Sequence, residues 1–355
     1  MTCGYSSDTE FLTKSGFRKF NEIDINTDVI GTITKSSFKF EWQKPTSSHC
    51  RQADDDMILT SANYTNSLTS KTNKMLVSES HRTRYNNFSD KYDPNRSNWQ
   101  LIECEAILAG DRSHYNTIYT PHDINQADYG VSDDLLKIIG SYVSEGSLIK
   151  YQCTKDKERT GEVHLKGISI SQLAGNRLDP IMRSIRDYKV CIYPFLRKGR
   201  IENTYNIYGA EFANSILDDC GDLCRGKKLP NWVFALSSRQ IDLLLETAIA
   251  GDGTEKKYSW CYYTTSYQLA QDIQLLAFHG GHVAKVWRYD YGKGDTFQVY
   301  ITKEKFTFGR VNYSDGGGNT SAKRIPYDGN VVSFSVPNGL LVTRRNGEIG
   351  INGGI

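Results

Sequence analysis

The chain lacks any run of about 18 consecutive apolar residues, which excludes an apolar helix long enough to span a membrane. Its first residues, Met-Thr-Cys-Gly-Tyr-Ser-Ser, carry neither the basic nor the apolar region of a secretory signal, so the expected setting is intracellular, with no membrane partner. Zinc-finger spacing is missing too. The eight cysteines are scattered, and the closest pair, Cys220 and Cys224, has no second pair at ligand spacing, which leaves reduced structural thiols. Net charge is nearly absent: +2 over 355 residues excludes a globally basic chain and confines any nucleic-acid surface to local patches. What remains is ordinary for a folded protein of two or three domains, with 38% apolar and 24% charged residues, and its 22 tyrosines suit half-buried sheets.

From Glu10 to about Tyr119 the pattern is short strands and turns, such as Phe38-Lys-Phe-Glu-Trp42 and Lys74-Met-Leu-Val77, with little helical period. After Val131 the texture changes. A helix over Asp133 to Ser144 leads into alternating runs near Leu148 to Tyr151 and Val163 to Ile170. A helix bearing Leu178, Ile181 and Ile185, two further strands, and a helix with Phe212, Ile216 and Leu217 follow. The order then restarts with a helix led by Ser237, a strand over Trp260 to Thr265, a helix marked by Leu269, Ile273 and Leu276, and a hairpin across Gly292-Lys-Gly294. These read as two copies of one αββαββ unit. The closing segments, Val331 to Val336 and Gly339 to Ile351, return to strand and turn beyond the flexible Gly316-Gly-Gly318. The predicted class is α+β: an all-β domain from residues 1–128 and 309–355, with an α/β domain inserted over 129–308, its repeats dividing at 230/231.

The repeat centres on Leu135-Leu-Lys-Ile-Ile-Gly-Ser-Tyr-Val-Ser-Glu-Gly146 and Asp242-Leu-Leu-Leu-Glu-Thr-Ala-Ile-Ala-Gly-Asp-Gly253. Small residues recur four apart, Gly140 with Ser144 and Thr247 with Gly251, so each pair shares a helical face on which a second helix can approach closely. Each helix then ends in an acid, Glu145 or Asp252, at the negative end of its dipole, where a cation is favoured. Either copy alone reads equally as an amphipathic core helix with a capping glycine. Two copies on a pseudo-twofold axis suit divalent-metal chemistry on a two-stranded substrate.

These segments resemble the paired motifs of LAGLIDADG homing endonucleases. Lys227-Lys-Leu-Pro230 resembles the block between the motifs, with Lys228 in the catalytic lysine position and Lys227 as the register alternative. Ser266 to Gly280 resembles the helix that follows the second motif. The resemblance implies a site-specific double-stranded DNA endonuclease acting as a monomer, leaving 3′ overhangs, with Mg²⁺ as cofactor. The implied metal site is Glu145 and Asp252 with backbone oxygens near Ser144, Gly146, Gly251 and Gly253. Lys228, and in the second half Lys303 or Lys305, would stabilise the phosphorus charge.

The outer segments resemble the Hint splicing domain of inteins: Gly4 to Phe20 an N-terminal block, Leu108-Ala-Gly-Asp111 the turn before endonuclease insertions, and Val331 to Leu340 with Thr343 to Gly347 the C-terminal blocks. The residues such splicing needs are absent. Gly4 occupies the nucleophile position, Ser70-Lys-Thr-Asn73 lacks the histidine, Asn352 stands where a histidine belongs, and Gly354 replaces the cyclising asparagine. The family pattern therefore implies a splicing-dead scaffold that adds DNA contacts.

Basic and aromatic residues alternate on the proposed ribbons, at Lys150 and Tyr151, Lys189 and Tyr193, Arg197-Lys198-Gly199-Arg200, and Lys285 with Trp287, Arg288 and Tyr289. A two-stranded ribbon fits the major groove, where such side chains reach bases and phosphates. Two other classes stay open on the sequence: a self-cleaving element using Cys3, and a DNA-binding protein with a decayed nuclease centre.

Overall fold

In the computed structural model, which describes residues 3–62, 65–79, 99–109, 114–121, 127–155, 158–290, 292, 294–305, 308–312 and 321–353, short alternating runs form antiparallel sheets and the 3.6-period segments form helices. Gly110 and Asp111, Gly316 to Gly318 and Gly354 lie outside the described residues. The chain divides into two compact units: residues 1–123, 283–285 and 305–355, and residues 124–282 and 286–304.

The first unit is built almost wholly of strands and takes both chain ends. A six-stranded sheet runs in the order Ser321–Ile325, Met57–Ala62, Thr65–Ser70, Tyr5–Ser6, Asn330–Ser335, Ser47–Gln52. The N-terminal strand pairs with the segment near the C-terminus in the register Tyr5 to Val332. Behind it, Tyr5, Phe11 and Phe334 pack edge to face at 5.6 and 5.0 Å between ring centroids, in a core completed by Ile30 and Leu341. Among the described residues the unit's helical pieces are a short 3-10 turn at Phe20–Glu22 and the α-helix Cys104–Ala109, whose Cys104 and Ile107 are buried against Ile58 and Met75.

The second unit holds the duplicated pattern. Its first half comprises α1 (Asp133–Glu145), β1 (Gly146–Lys155), β2 (Glu158–Leu173), α2 (Leu178–Ser184), β3 (Val190–Arg197), β4 (Arg200–Tyr208) and α3 (Ala210–Cys220). Its second half comprises α4 (Ser238–Asp252), β5 (Gly253–Glu255), β6 (Ser259–Thr264), α5 (Tyr267–His279), β7 (His282–Asp290) and β8 (Asp295–Lys305). Strand order is the same in both halves, β1-β2-β4-β3 and β5-β6-β8-β7. β5 was not legible in sequence, because three residues with one intermediate and two exposed positions carry no alternation.

Both long helices begin as their sequences direct. The Ser132 hydroxyl accepts from the Leu135 amide and opens α1; Ser237 accepts from Gln240, whose side chain reaches back to the Ser237 amide and closes a capping box on α4. Their contact is set by small residues. A methyl on Gly140 would stand 2.9 Å from Thr247 Cβ, and one on Gly251 only 2.5 Å from Ser144 Cβ. Equivalent positions therefore face each other, as a twofold relation between the helices requires. Leu136, Ile138, Leu244 and Leu245 are all fully buried on these helices.

Candidate active site at the paired helix ends

Glu145 and Asp252 are the last residues of α1 and α4, and both half-buried carboxyls belong to one electrostatic site. The helices end without a left-handed glycine. Gly146 and Gly253 are extended, at φ −83° and −134°, and turn the chain straight into β1 and β5. Their need for glycine is steric: a methyl at Gly146 would meet the Tyr142 carbonyl oxygen at 2.7 Å, and one at Gly253 the Ile249 oxygen at 2.7 Å. The capping-glycine reading is thus corrected in kind, since the space four residues back, not backbone handedness, excludes a side chain.

Charge is compressed here. Burial raises the carboxyl pKa of Glu145, against the opposing pull of a hydrogen bond from Gln172 and the charge of Lys227. Burial, then the neighbouring Glu145 charge, pushes Asp252 up to about 7, with Lys227 opposing. The Lys227 ammonium is itself buried and donates to the carbonyl oxygens of Tyr142 at 2.8 Å and Ser144 at 3.1 Å, capping the negative end of α1. Burial lowers its pKa, partly offset by Asp252 and then Glu145.

The two lysines of the register are placed differently: Lys228 is exposed, whereas Lys227 is buried at the end of α1, within the electrostatic reach of Asp252 and Glu145. Three bonds fix the alternation: the Lys228 amide donates to the Cys220 carbonyl, the Lys227 carbonyl accepts from the Ser266 hydroxyl at 2.6 Å, and the Leu229 amide donates to Asp272 at 2.9 Å. Gln172 was not foreseen; a glutamine on a long strand gives no sequence signal, and only the ladder reveals that its Nε2 donates to Glu145 Oε1 at 2.9 Å.

The remaining candidates separate. Ser144 donates its hydroxyl to the Ala248 carbonyl across the helix pair at 2.9 Å, and its own carbonyl is taken by Lys227, so it serves the helix contact. Lys303 is ion-paired with Glu255, and Lys305 falls in the first unit. Among the ribbon residues, Lys150 is paired with Asp222, Arg197 lies 3.6 Å from Glu202, and Arg288 bonds Asp295 at 2.8 Å. Lys285 is paired with the buried carboxylate of Glu348 in the first unit, which ties it to the sheet rather than to solvent. Lys189, Lys198 and Arg200 are exposed. Lys198 and Gly199, at φ 48° and 75°, form the two-residue turn that pairs Arg197 with Arg200, a turn form that needs positive φ at both central positions.

In the first unit, Gly4 and Tyr5 meet Ser70 and Gly353. The Gly4 amide donates to Ser70 Oγ at 3.0 Å and its carbonyl accepts from the Ser70 amide at 2.9 Å. The Tyr5 hydroxyl donates to the Gly353 carbonyl at 2.8 Å, beside the buried Asn73 and Asn352. Cys3 directs its thiol to the Thr72 carbonyl at 2.9 Å.

Among the described residues no group of three or more His, Cys, Asp or Glu side chains gathers as a metal cluster. The donor set at the helix ends is instead the two carboxylates of Glu145 and Asp252, the Tyr142 and Ser144 carbonyl oxygens being taken by Lys227. Such an all-oxygen set, left short of ligands, fits a hard divalent cation that keeps water and takes oxygens from a phosphate.

No protein-family profile matches the chain. A curated relative, an ATP-dependent Clp protease proteolytic subunit from Chlamydomonas moewusii, is 23% identical over 302 residues, which is 79% of this chain; the chain spans only 28% of that protein. Among solved structures, mesophilic variants of the homing endonuclease I-DmoI share 12% identity at a TM-score of 0.36, covering 48% of this chain and 89% of theirs. I-DmoI in complex with DNA and Ca gives a TM-score of 0.37 at 12% identity, over 49% of this chain and 85% of that one. Meganuclease I-SmaMI bound to uncleaveable DNA gives 0.26 at 11% identity, over 47% and 78%.

Proposed function

We propose that the chain is a site-specific double-stranded DNA endonuclease of the LAGLIDADG type, working as a pseudo-symmetric monomer with Mg²⁺. The observation that carries this reading is the pair of equivalent helices, in contact through Gly140 with Thr247 and Ser144 with Gly251, each delivering one acid to a shared charged site. Two carboxylates on a pseudo-twofold axis match the antiparallel strands of a duplex, one phosphodiester for each. Bound there by Glu145 and Asp252, a divalent cation supplies Lewis acidity toward phosphoryl oxygens and lowers the pKa of a water. The chain's own residues set the stage. Burial keeps bulk water from screening the acids, Gln172 fixes the orientation of Glu145, and Lys227 offsets charge at the end of α1. The sheets β1 to β4 and β5 to β8 form the proposed duplex-binding surface, with Lys189, Lys198 and Arg200 on phosphates.

The first unit is read as a Hint-like scaffold that no longer splices and that adds DNA contacts. Gly4 has no side chain with which to attack its own preceding carbonyl, and Asn73 stands where the resemblance calls for a histidine.

The test is cleavage of a randomised or genomic DNA library with Mg²⁺ by wild type and Asp252→Asn in parallel, sequencing the ends. Discrete 3′-overhang ends from wild type alone support the reading. Tight, specific binding with no ends from either protein would instead favour a decayed DNA-binding protein.

A further inference from the structure

Resting on that duplex-cleaving function, we propose that the half-site read by the β3–β4 ribbon is recognised through thymine methyl groups, making it an A·T-rich half-site. Cross-strand register pairs Tyr193 with Thr204 and Phe195 with Glu202. Alternation along β4 puts Asn203, Tyr205 and Ile207 on the buried face, at 3%, 0% and 3% exposure. Tyr193, Phe195 and Tyr208 therefore share the opposite, open face, at 50%, 41% and 43% exposure.

The polar groups of that face are largely spent on one another. Asn206 donates to the Tyr208 hydroxyl at 3.0 Å, the Tyr208 and Tyr193 hydroxyls are hydrogen-bonded together, and Arg197 lies beside Glu202. Lys166 stands over the Tyr208 ring, its Nζ 5.8 Å from the centroid, so the open ring surface left to meet a ligand is that of Tyr193 and Phe195. A cytosine amino group pressed against a phenyl ring gives up a hydrogen bond to water without replacement, whereas the C5 methyl of thymine gains an apolar contact. The occupant is a duplex rather than an apolar protein surface because the ribbon tip carries the exposed Lys198 and Arg200, a charge suited to phosphates.

The other half differs. Its large exposed side chains among the described residues are Tyr258, Tyr263, Tyr267 and Tyr289, each with a hydroxyl and none with a purely apolar end. The methyl dependence is accordingly confined to one half-site.

The experiment takes the duplex that wild-type protein selects from a randomised library and replaces thymine by uracil, one half-site at a time, which removes only the methyl. Binding at fixed salt is expected to weaken about fourfold for each ring-packed methyl removed from one half-site, and to change less than about twofold in the other. Phe195→Ala, at an exposed position and with its fold checked by circular dichroism, should abolish that difference. Equal responses in both half-sites, or none, overturn the inference while the endonuclease reading stands. Unchanged duplex binding by Phe195→Ala overturns it as well and gives the ring face to a protein partner. Failure to select any duplex removes the function and the inference together.

Discussion

The two halves of the second unit share strand order and helix packing but differ around the acids that end their long helices. At the end of α1, Glu145 receives a hydrogen bond from Gln172, and Lys227 covers the last carbonyls. At the end of α4 the ladder places Thr264 where the first half has Gln172, since Gly146 faces Ile170 and Gly253 faces Tyr262. The Thr264 hydroxyl is turned to the Ser266 amide, and no side-chain hydrogen bond to Asp252 occurs among the described residues. The difference separates two kinds of constraint. Gly146 and Gly253, which must clear the carbonyl four residues back, have no substitute and recur in both copies, while at the helix contact a glycine of one copy faces the larger Thr247 or Ser144 of the other. Side chains that tune a carboxylate have several substitutes, so the two acids come to differ.

Removing either acid tests the shared part of the comparison and has the largest expected effect. Asp252→Asn and Glu145→Gln should each lower single-turnover cleavage by at least about a thousandfold while specific binding stays within about tenfold, because under the proposed function each change takes away a metal ligand and no base contact. Cleavage of one strand surviving in one variant would show that the two acids serve separate strands. Lys227→Met comes next. It strips the charge from the end of α1, and cleavage should fall about 10²-fold against a change within about threefold for the exposed Lys228→Met. The reverse ranking would restore the register expected from sequence.

Breaking the packing symmetry reads out as stability. Gly251→Leu drives a side chain into Ser144, already 2.5 Å from an added methyl, and should cost about 1–3 kcal/mol, measured by chemical denaturation. Leucine at exposed Gly175, where a methyl would touch nothing but φ is 79°, provides the contrast of backbone strain without a clash.

This contrast also shows how much was legible in the sequence. The spacing of Gly140, Ser144, Thr247 and Gly251 announced a close helix pair because interpenetration leaves few residue types available, and the serine caps announced where each helix starts. The lysine register was not legible, because Lys227 and Lys228 are chemically identical and only the Ser266 and Asp272 bonds decide which one turns inward. Gln172 and Thr264 stayed hidden for another reason: their equivalence exists in the ladder, across strands of very different length. Ion pairs such as Lys150 with Asp222 and Lys285 with Glu348 join residues 72 and 63 positions apart, so basic ribbon residues counted from sequence overstate the positive charge the ribbons present.

The asymmetry of the acids should also appear as a pH dependence of the metal-free protein. Asp252 keeps its proton in the folded state up to about pH 7, while the unfolded chain releases it near the ordinary value of 3.8. Between those values the folded state binds the extra proton, so this group's contribution to stability falls as pH rises from about 4 to 7. In chelator, the thermal midpoint of wild type should therefore decline over that interval more steeply than that of Asp252→Asn. Saturating Mg²⁺, which binds the deprotonated form, should flatten the wild-type decline. Parallel profiles for the two proteins would mean that Asp252 ionises freely.

The smallest effect concerns the ribbons. Arg200 forms no ion pair among the described residues, whereas Arg288 bonds Asp295 at 2.8 Å. An arginine free to neutralise a phosphate releases a counterion on binding, and its removal lowers the slope of log K against log salt by about one. Arg288 must first exchange Asp295 for the phosphate, and that displacement leaves an aspartate near the duplex, which offsets part of the gain. Arg200→Ala should then reduce the slope by about one and Arg288→Ala by clearly less, in titrations from low to moderate salt. Asp295→Asn separates the two explanations for a small Arg288 effect. If the ion pair restrains Arg288, the substitution strengthens binding and makes a subsequent Arg288→Ala costly; if Arg288 never meets the duplex, neither change alters the slope.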